Sequence, residues 1–158
     1  MKSNCVVTVE GPFFEQGEVC GQILRALPTW FGIEEATQQY IRDVDELPTF
    51  LAWIEGRVVG FMSVKLHNPY AAELYVLGIC PDVHRHGIGR ALFVAVEAYL
   101  RQQSVEYVQV KTLSASHPDE GYAKTRAFYQ AMGFRPLEEI KTLWGEDNPC
   151  LLMVKGIG

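Results

Sequence analysis

The sequence predicts one α/β domain spanning residues 1–158, with a mixed, mostly antiparallel sheet and helices on both of its faces. Three observations predict it. Strand-like and helix-like hydrophobic periods alternate in the order βααβββαβαββ. The run Leu74–Cys80 is apolar almost without a break, as a strand covered on both faces requires. No repeat, low-complexity tract or Pro/Ser-rich linker divides the chain, whose 158 residues suffice for a sizeable core.

Each element has a local reason. Cys5–Glu10 alternates as a strand, closed by Gly11-Pro12. Glu18–Leu27 reads as a helix stopped by Pro28. Ile33–Val44 reads as a second helix, with Glu34 and Glu35 in its first turn and a stripe of Ile33, Ala36, Tyr40, Ile41 and Val44. Thr49–Glu55 and Val58–Leu66 flank Gly56-Arg57 and predict a hairpin. Leu74–Cys80 is the central strand. Gly87–Gln103 predicts a helix so apolar all round that neighbours must cover it. Tyr107–Thr112 is a further strand. Tyr122–Met132 is a helix with Gly133 as its C′ glycine. Phe134–Leu143 and Cys150–Lys155 close the sheet.

Composition excludes several classes. Hydrophobic residues make up 48% and charged residues 21%, as in ordinary globular chains, and the net charge is −5. That balance argues against a nucleic-acid partner, which calls for a basic face. Cys5, Cys20, Cys80 and Cys150 contain no C-x-x-C pair, so neither a zinc site nor a disulfide framework is expected and they read as small, partly buried hydrophobes. Met1–Cys5 leads directly into a strand pattern, without a signal-peptide core. No apolar run nears the ~20 residues that span a bilayer, so no membrane partner and a cytoplasmic setting are expected. No metal site is expected.

The segment from Ile79 to Leu92 carries the chemistry. It reads as a strand, a basic turn with two glycines, and a helix. The first turn of a helix leaves N–H groups unpaired, and the helix dipole favours an anion there. Gly87 and Gly89 remove the Cβ atoms that would hold a phosphate away. Arg85 and Arg90 add positive charge, and no acid occurs between Val83 and Val96. The turn is not a P-loop, because G-x-x-x-x-G-K-[ST] is absent. It is not a dinucleotide fingerprint either, since Leu92 stands where the third glycine belongs. The reading is a ligand that carries a pyrophosphate.

At these residues the chain resembles the GNAT (Gcn5-related) N-acetyltransferases. His84-Arg85-His86-Gly87-Ile88-Gly89 is similar to their acetyl-CoA loop, [QR]-x-x-G-x-[GA], with His at the first position. Thr125-Arg126-Ala127-Phe128-Tyr129-Gln130-Ala131-Met132-Gly133-Phe134 is similar to their A-x-x-F-Y-x-x-x-G-F segment, with Thr125 in place of alanine and Tyr122 where asparagine is frequent. The resemblance is specific from about Glu73 to Phe134 and weak before Leu47. It implies a GNAT domain over 1–158 with splayed fourth and fifth strands, and acetyl-CoA as cosubstrate without a metal. It implies that His84, Arg85, His86, Gly87, Ile88, Gly89 and Arg90 hold the diphosphate. The pantetheine arm would lie along Leu77, Gly78 and Ile79, toward Cys80. Gly78 and Pro81 fit an irregular pairing there. Tyr129 would hydrogen-bond the leaving thiolate, and Glu73 would take the proton of the amine through water.

Physical need agrees with that assignment. An alkylamine with a pKa of about 10.4 is neutral in roughly one molecule per 2,500 at pH 7, so attack needs a base. Asp119, Glu120 and His67 are rivals for that role. No base stands beside Cys80 in sequence, so direct attack in a ternary complex is preferred to an acyl-cysteine. The acceptor side falls to the first two helices, the loop after Leu66 and the end of the chain. Glu34, Glu35, Asp43, Asp45 and Glu46 against Arg42 hint at a cationic small-molecule amine. Trp30, Phe31, Tyr70 and Trp144 either line a pocket or belong to the core. Three alternatives stay open: an acyl-CoA-binding module without turnover, acetylation of a protein amine, and a nicotinamide oxidoreductase. The sequence allows a homodimer without requiring one.

Overall fold

The computed structural model describes residues 6–84 and 86–158. The elements run β1 (Val7–Phe13), α1 (Gly17–Arg25), α2 (Glu34–Glu46), β2 (Thr49–Ile54), β3 (Arg57–Asn68), β4 (Ala71–Ile79), α3 (Ile88–Gln102), β5 (Tyr107–Leu113), α4 (Glu120–Ala131), β6 (Arg135–Ile140) and β7 (Cys150–Gly156). A short 3-10 turn, Pro81–Val83, follows β4. This is the predicted order. The strands form one seven-stranded open sheet in the order β1-β2-β3-β4-β5-β7-β6. Of the described pairings only β4 with β5 is parallel.

By its contacts the chain divides into two compact units. One contains the chain up to Lys65 together with Val76–Tyr99; the other contains Leu66–Tyr75 and Leu100–Gly158.

In the first unit, α1 is seated on α2. The Gly17 N–H donates to Asp45 Oδ1 at 2.8 Å, and a Cβ on Gly17 would fall 2.5 Å from the Ile41 carbonyl oxygen. The β2–β3 hairpin turns at Glu55 and Gly56, whose φ values of 50° and 78° match the I′ turn that suits strand twist. The predicted strand end at Gly11-Pro12 is corrected. β1 runs on to Phe13, which pairs with Thr49 after a register shift beyond Glu10. β1 lies at the sheet edge, where a missing N–H costs no ladder bond. At Gly78 a Cβ would meet Ile23 Cγ2 and Phe61 Cε1 at 3.1 Å, so close side-chain packing calls for a glycine there. The expectation that α3 is covered all round fails too. Leu92 and Val96 are fully buried, but Val94 is 61% exposed and Ala98 is exposed.

In the second unit, β5 pairs with β7 along its whole length, from Tyr107 opposite Gly156 to Leu113 opposite Cys150. The β4–β5 ladder joins Ala71–Glu73 to Tyr107–Gln109 and stops at Glu73 among the described residues. The Asn68 side chain closes the turn into β4, with Oδ1 accepting from the N–H groups of Tyr70 and Ala71. Asp119 caps α4 by accepting from the Tyr122 N–H at 3.1 Å. Gly133, at φ 102°, ends that helix as the sequence predicts.

Candidate active site

The glycine turn is built from backbone. Gly87 adopts φ 73°, a left-handed conformation that glycine takes without strain, and its carbonyl accepts the first helical bond, from the Ala91 N–H at 3.0 Å. Among the described residues a Cβ at Gly87 would meet nothing within 4 Å, so they leave the space above this helix start open. Helix geometry leaves the N–H groups of Ile88, Gly89 and Arg90 without intrahelical partners. The Ile88 side chain is buried, and Gly60 on β3 is kept small beneath it (a Cβ there would sit 3.2 Å from Ile88 Cγ2). Ile88 therefore anchors the turn and can offer a ligand only its backbone. His86 and Arg90 are exposed. Arg85 lies outside the described residues.

His84 has a role of its own. Its Nε2 lies 2.8 Å from the Ile79 carbonyl oxygen, so Nε2 carries the hydrogen and donates. The Trp30 ring stands edge-on against the imidazole, with centroids 6.1 Å apart. His84 thereby ties the turn to the end of β4 and occupies one acceptor position of Ile79. Trp30 is therefore a packing partner of this turn, and Phe31 packs against Tyr40; Tyr70 and Trp144 are exposed and do not belong to the core. Leu77 is half-buried on β4, while Gly78 is closed in by core side chains.

A second constellation lies in the other unit. Glu73 is only 5% exposed, unlike an ordinary strand-end carboxylate. Three donors converge on it: His67 Nε2 at 2.7 Å and Lys111 Nζ at 3.1 Å on Oε1, with Gln109 Nε2 at 3.3 Å on the same oxygen. Lys111 also reaches Oε2 at 3.3 Å. Burying an unpaired carboxylate costs several kcal/mol, so these donors are what keeps an ionised Glu73 in place. The sequence reading found Glu73 and, as a rival, His67. It missed Gln109 and Lys111, which alternate on one face of β5 and carried no local signal.

Tyr129 is buried on α4, packed against Phe128 and Phe134 at 5.5 and 5.8 Å between centroids. Burial, and then the neighbouring Tyr122, push its pKa above the usual phenol value. The hydroxyl therefore stays protonated at neutral pH and remains a hydrogen-bond donor.

Other candidates are used elsewhere. Asp119 is spent on the helix cap, and Glu120 is exposed in the first turn of α4. In the acidic group of α2, Glu34 pairs with Arg25, Asp43 accepts from Gln39, and Asp45 holds the start of α1. The described cysteines do not suit acyl-enzyme chemistry. Burial pushes the thiols of Cys20, Cys80 and Cys150 up, that of Cys20 to about 12, so they remain thiols near pH 7.

One cavity of about 290 Å³ opens in the second unit, lined by Ser116, His117, Glu139, Lys141, Glu146 and Asp147 among others. Hydrogen bonds from the hydroxyls of Ser114 and Ser116 lower the pKa of Glu139 and hold it as a carboxylate. Buried His117 Nδ1 lacks a partner among the described residues. No group of three metal-ligating side chains occurs among the described residues, and no helix there is long and apolar enough to cross a membrane.

Residues 17–134 match the model of the acetyltransferase (GNAT) family. A mycothiol acetyltransferase of Saccharomonospora viridis is 36% identical over 92 residues, which is 53% of this chain and 28% of that protein. The chain spans about a quarter of the length of such curated relatives. The ribosomal-protein-S18-alanine N-acetyltransferase of Escherichia coli superposes with a TM-score of 0.77 at 16% identity, covering 97% of this chain and 95% of that one. A GNAT acetyltransferase of Elizabethkingia anophelis, solved with acetyl-CoA bound, gives 0.70 at 16% identity, covering 98% and 99%.

Proposed function

Because the chain belongs to the GNAT acetyltransferase family, we propose that it is an N-acetyltransferase, moving acetyl from acetyl-CoA to a primary amine of a small molecule by direct attack. The observation that carries this reading is the open left-handed glycine at the start of α3. A diphosphate needs several N–H donors within reach at once, and a side chain at residue 87 would stand between them and the phosphate oxygens. In this reading Gly87, Ile88, Gly89 and Arg90 hold the diphosphate through backbone N–H groups, with Arg85 and Arg90 adding charge and His86 offering a ring nitrogen. His84 fixes the geometry of the turn by holding Ile79. Leu77 and Ile79 offer backbone groups of β4 to the amides of the pantetheine arm, and Gly78 keeps that strand close to the core.

The chemistry then divides between two groups. The carboxylate of Glu73 belongs to the machinery that accepts the proton of the amine. The hydroxyl of Tyr129 donates to the sulfur as the carbon–sulfur bond breaks. The raised phenol pKa supports that role, because a donor must still hold its hydrogen when negative charge reaches the sulfur. The raised thiol pKa values support direct attack over an acyl-cysteine. Glu139, Glu146 and Asp147 against Lys141 give the cavity a negative bias that suits a small cationic amine. We place the reaction in the cytosol, where free thiols such as Cys20, Cys80 and Cys150 persist.

The test is a thiol-release screen with acetyl-CoA over a panel of small primary amines, with N-terminal peptides as a second arm. Release that depends on a small amine supports the reading. Turnover on peptides alone moves the acceptor to a protein. Tight acetyl-CoA binding without release on any amine leaves an acyl-CoA-binding module, and binding of NADH in its place ends the reading.

A further inference from the structure

We propose that His67, not Glu73, is the group that meets the amine and takes its proton, with Glu73 and Lys111 as positioning residues behind it. The proposal rests on the acetyltransferase reading above. Its ground is the hydrogen-bond arithmetic of the cluster. A carboxylate oxygen has two lone pairs, yet Glu73 Oε1 already faces donors from His67, Lys111 and Gln109. Oε2 faces Lys111 as well. A carboxylate engaged in this way has little capacity left for a new proton, and its side chain is only 7% exposed.

The imidazole is placed the other way round. Its Nε2 points at Glu73 Oε1 at 2.7 Å, and the carboxylate can only accept, so Nε2 carries the hydrogen. The nearby Gln109 Nε2, 3.2 Å from the same ring nitrogen, cannot then donate to it, and its hydrogen goes to Glu73. In the neutral ring the lone pair is left on Nδ1. The His67 side chain is 31% exposed, so this lone pair belongs to the accessible member of the pair. A carboxylate behind one ring nitrogen fixes the tautomer and stabilises the imidazolium that forms when the other accepts a proton. The charged partners of the cluster are Glu73 on β4 and Lys111 on β5, and both also act on the Cys150 thiol on β7.

The step balances. The ammonium gives one proton to His67 Nδ1, leaving a neutral amine and an imidazolium paired with Glu73. The amine lone pair forms the N–C bond at the thioester carbonyl. On collapse the C–S bond breaks and its electron pair goes to sulfur. The remaining surplus proton of the nitrogen passes to that sulfur, giving amide and free thiol. The imidazolium returns its proton to solvent, so one proton is released per turnover.

The experiment compares His67→Ala with Glu73→Gln, each assayed for acetyl-CoA binding by calorimetry and for turnover with and without added imidazole. His67→Ala is expected to lower kcat by about 100-fold or more, with the acetyl-CoA Kd within twofold, and imidazole is expected to restore part of the rate. Glu73→Gln is expected to lower kcat without any rescue, since its ring is present but no longer held. A His67→Ala protein that keeps kcat within threefold, or that imidazole does not rescue, overturns the assignment while leaving the acetyltransferase reading intact. A wild-type protein that acetylates no amine brings down both.

Discussion

The turn at Gly87 and the cluster around Glu73 are built on opposite principles. The turn is contiguous: its donors are main-chain N–H groups, and its specificity lies in the side chain that Gly87 lacks. The cluster is convergent: His67, Gln109 and Lys111 lie 6, 36 and 38 residues from Glu73, and strand pairing is what brings them together. At the flank of the turn His84 bonds to Ile79, where the family pattern has Gln or Arg. The cluster tolerates little, because each donor removed leaves a buried carboxylate less compensated. In the proposed reading, then, anion binding is a backbone property and proton handling is a side-chain property.

The sharpest way to break this contrast is at the turn. Gly87→Val places a β-branched side chain at φ 73° and in the open space above α3. Affinity for coenzyme A is expected to fall by about 100-fold or more, roughly 2.7 kcal/mol, as read by calorimetry on protein whose circular dichroism shows it folded. Binding within threefold of wild type would mean that another part of the chain holds the diphosphate. Next comes Tyr129→Phe, which removes one hydroxyl from a buried ring and leaves its packing. We expect kcat to fall by about 100-fold with the acetyl-CoA Kd within twofold. A change confined to Kd would make Tyr129 a binding residue and not a donor. The smallest effect belongs to Asp119→Ala. Loss of the α4 cap costs about 1 kcal/mol and should lower the Tm by about 2–4 °C for a chain of this size, with kcat unchanged. A tenfold loss of kcat would return Asp119 to the list of bases.

The same contrast explains what the sequence made legible. Element order followed from hydrophobic period, and the glycine turn followed from three adjacent facts: an apolar strand, a basic turn and an apolar helix. Gly133 and the β2–β3 hairpin were legible for the same local reason, although the turn lies at Glu55-Gly56, one residue before the Gly56-Arg57 that the sequence suggests. Boundaries were missed where tertiary context overrides a local signal. Pro12 reads as a strand end, yet β1 continues past it because an edge strand does not need that N–H. Gly78 carries no local sign of its neighbours, yet Ile23, Leu27 and Phe61 pack against it. Val94 reads as buried, yet it faces outward on α3. Gln109 and Lys111 could not be found by any window along the chain. They look like ordinary polar positions of an alternating strand until β5 is laid beside β4.

The central claim is that backbone N–H groups at the start of α3 hold the diphosphate of coenzyme A. Amide resonances of the isotopically labelled protein, followed while coenzyme A is titrated in, test it most directly. The account predicts that the N–H signals of Gly87, Ile88, Gly89 and Arg90 move together to saturation, with a midpoint equal to the calorimetric Kd. Saturable binding that leaves those four signals unmoved would contradict it.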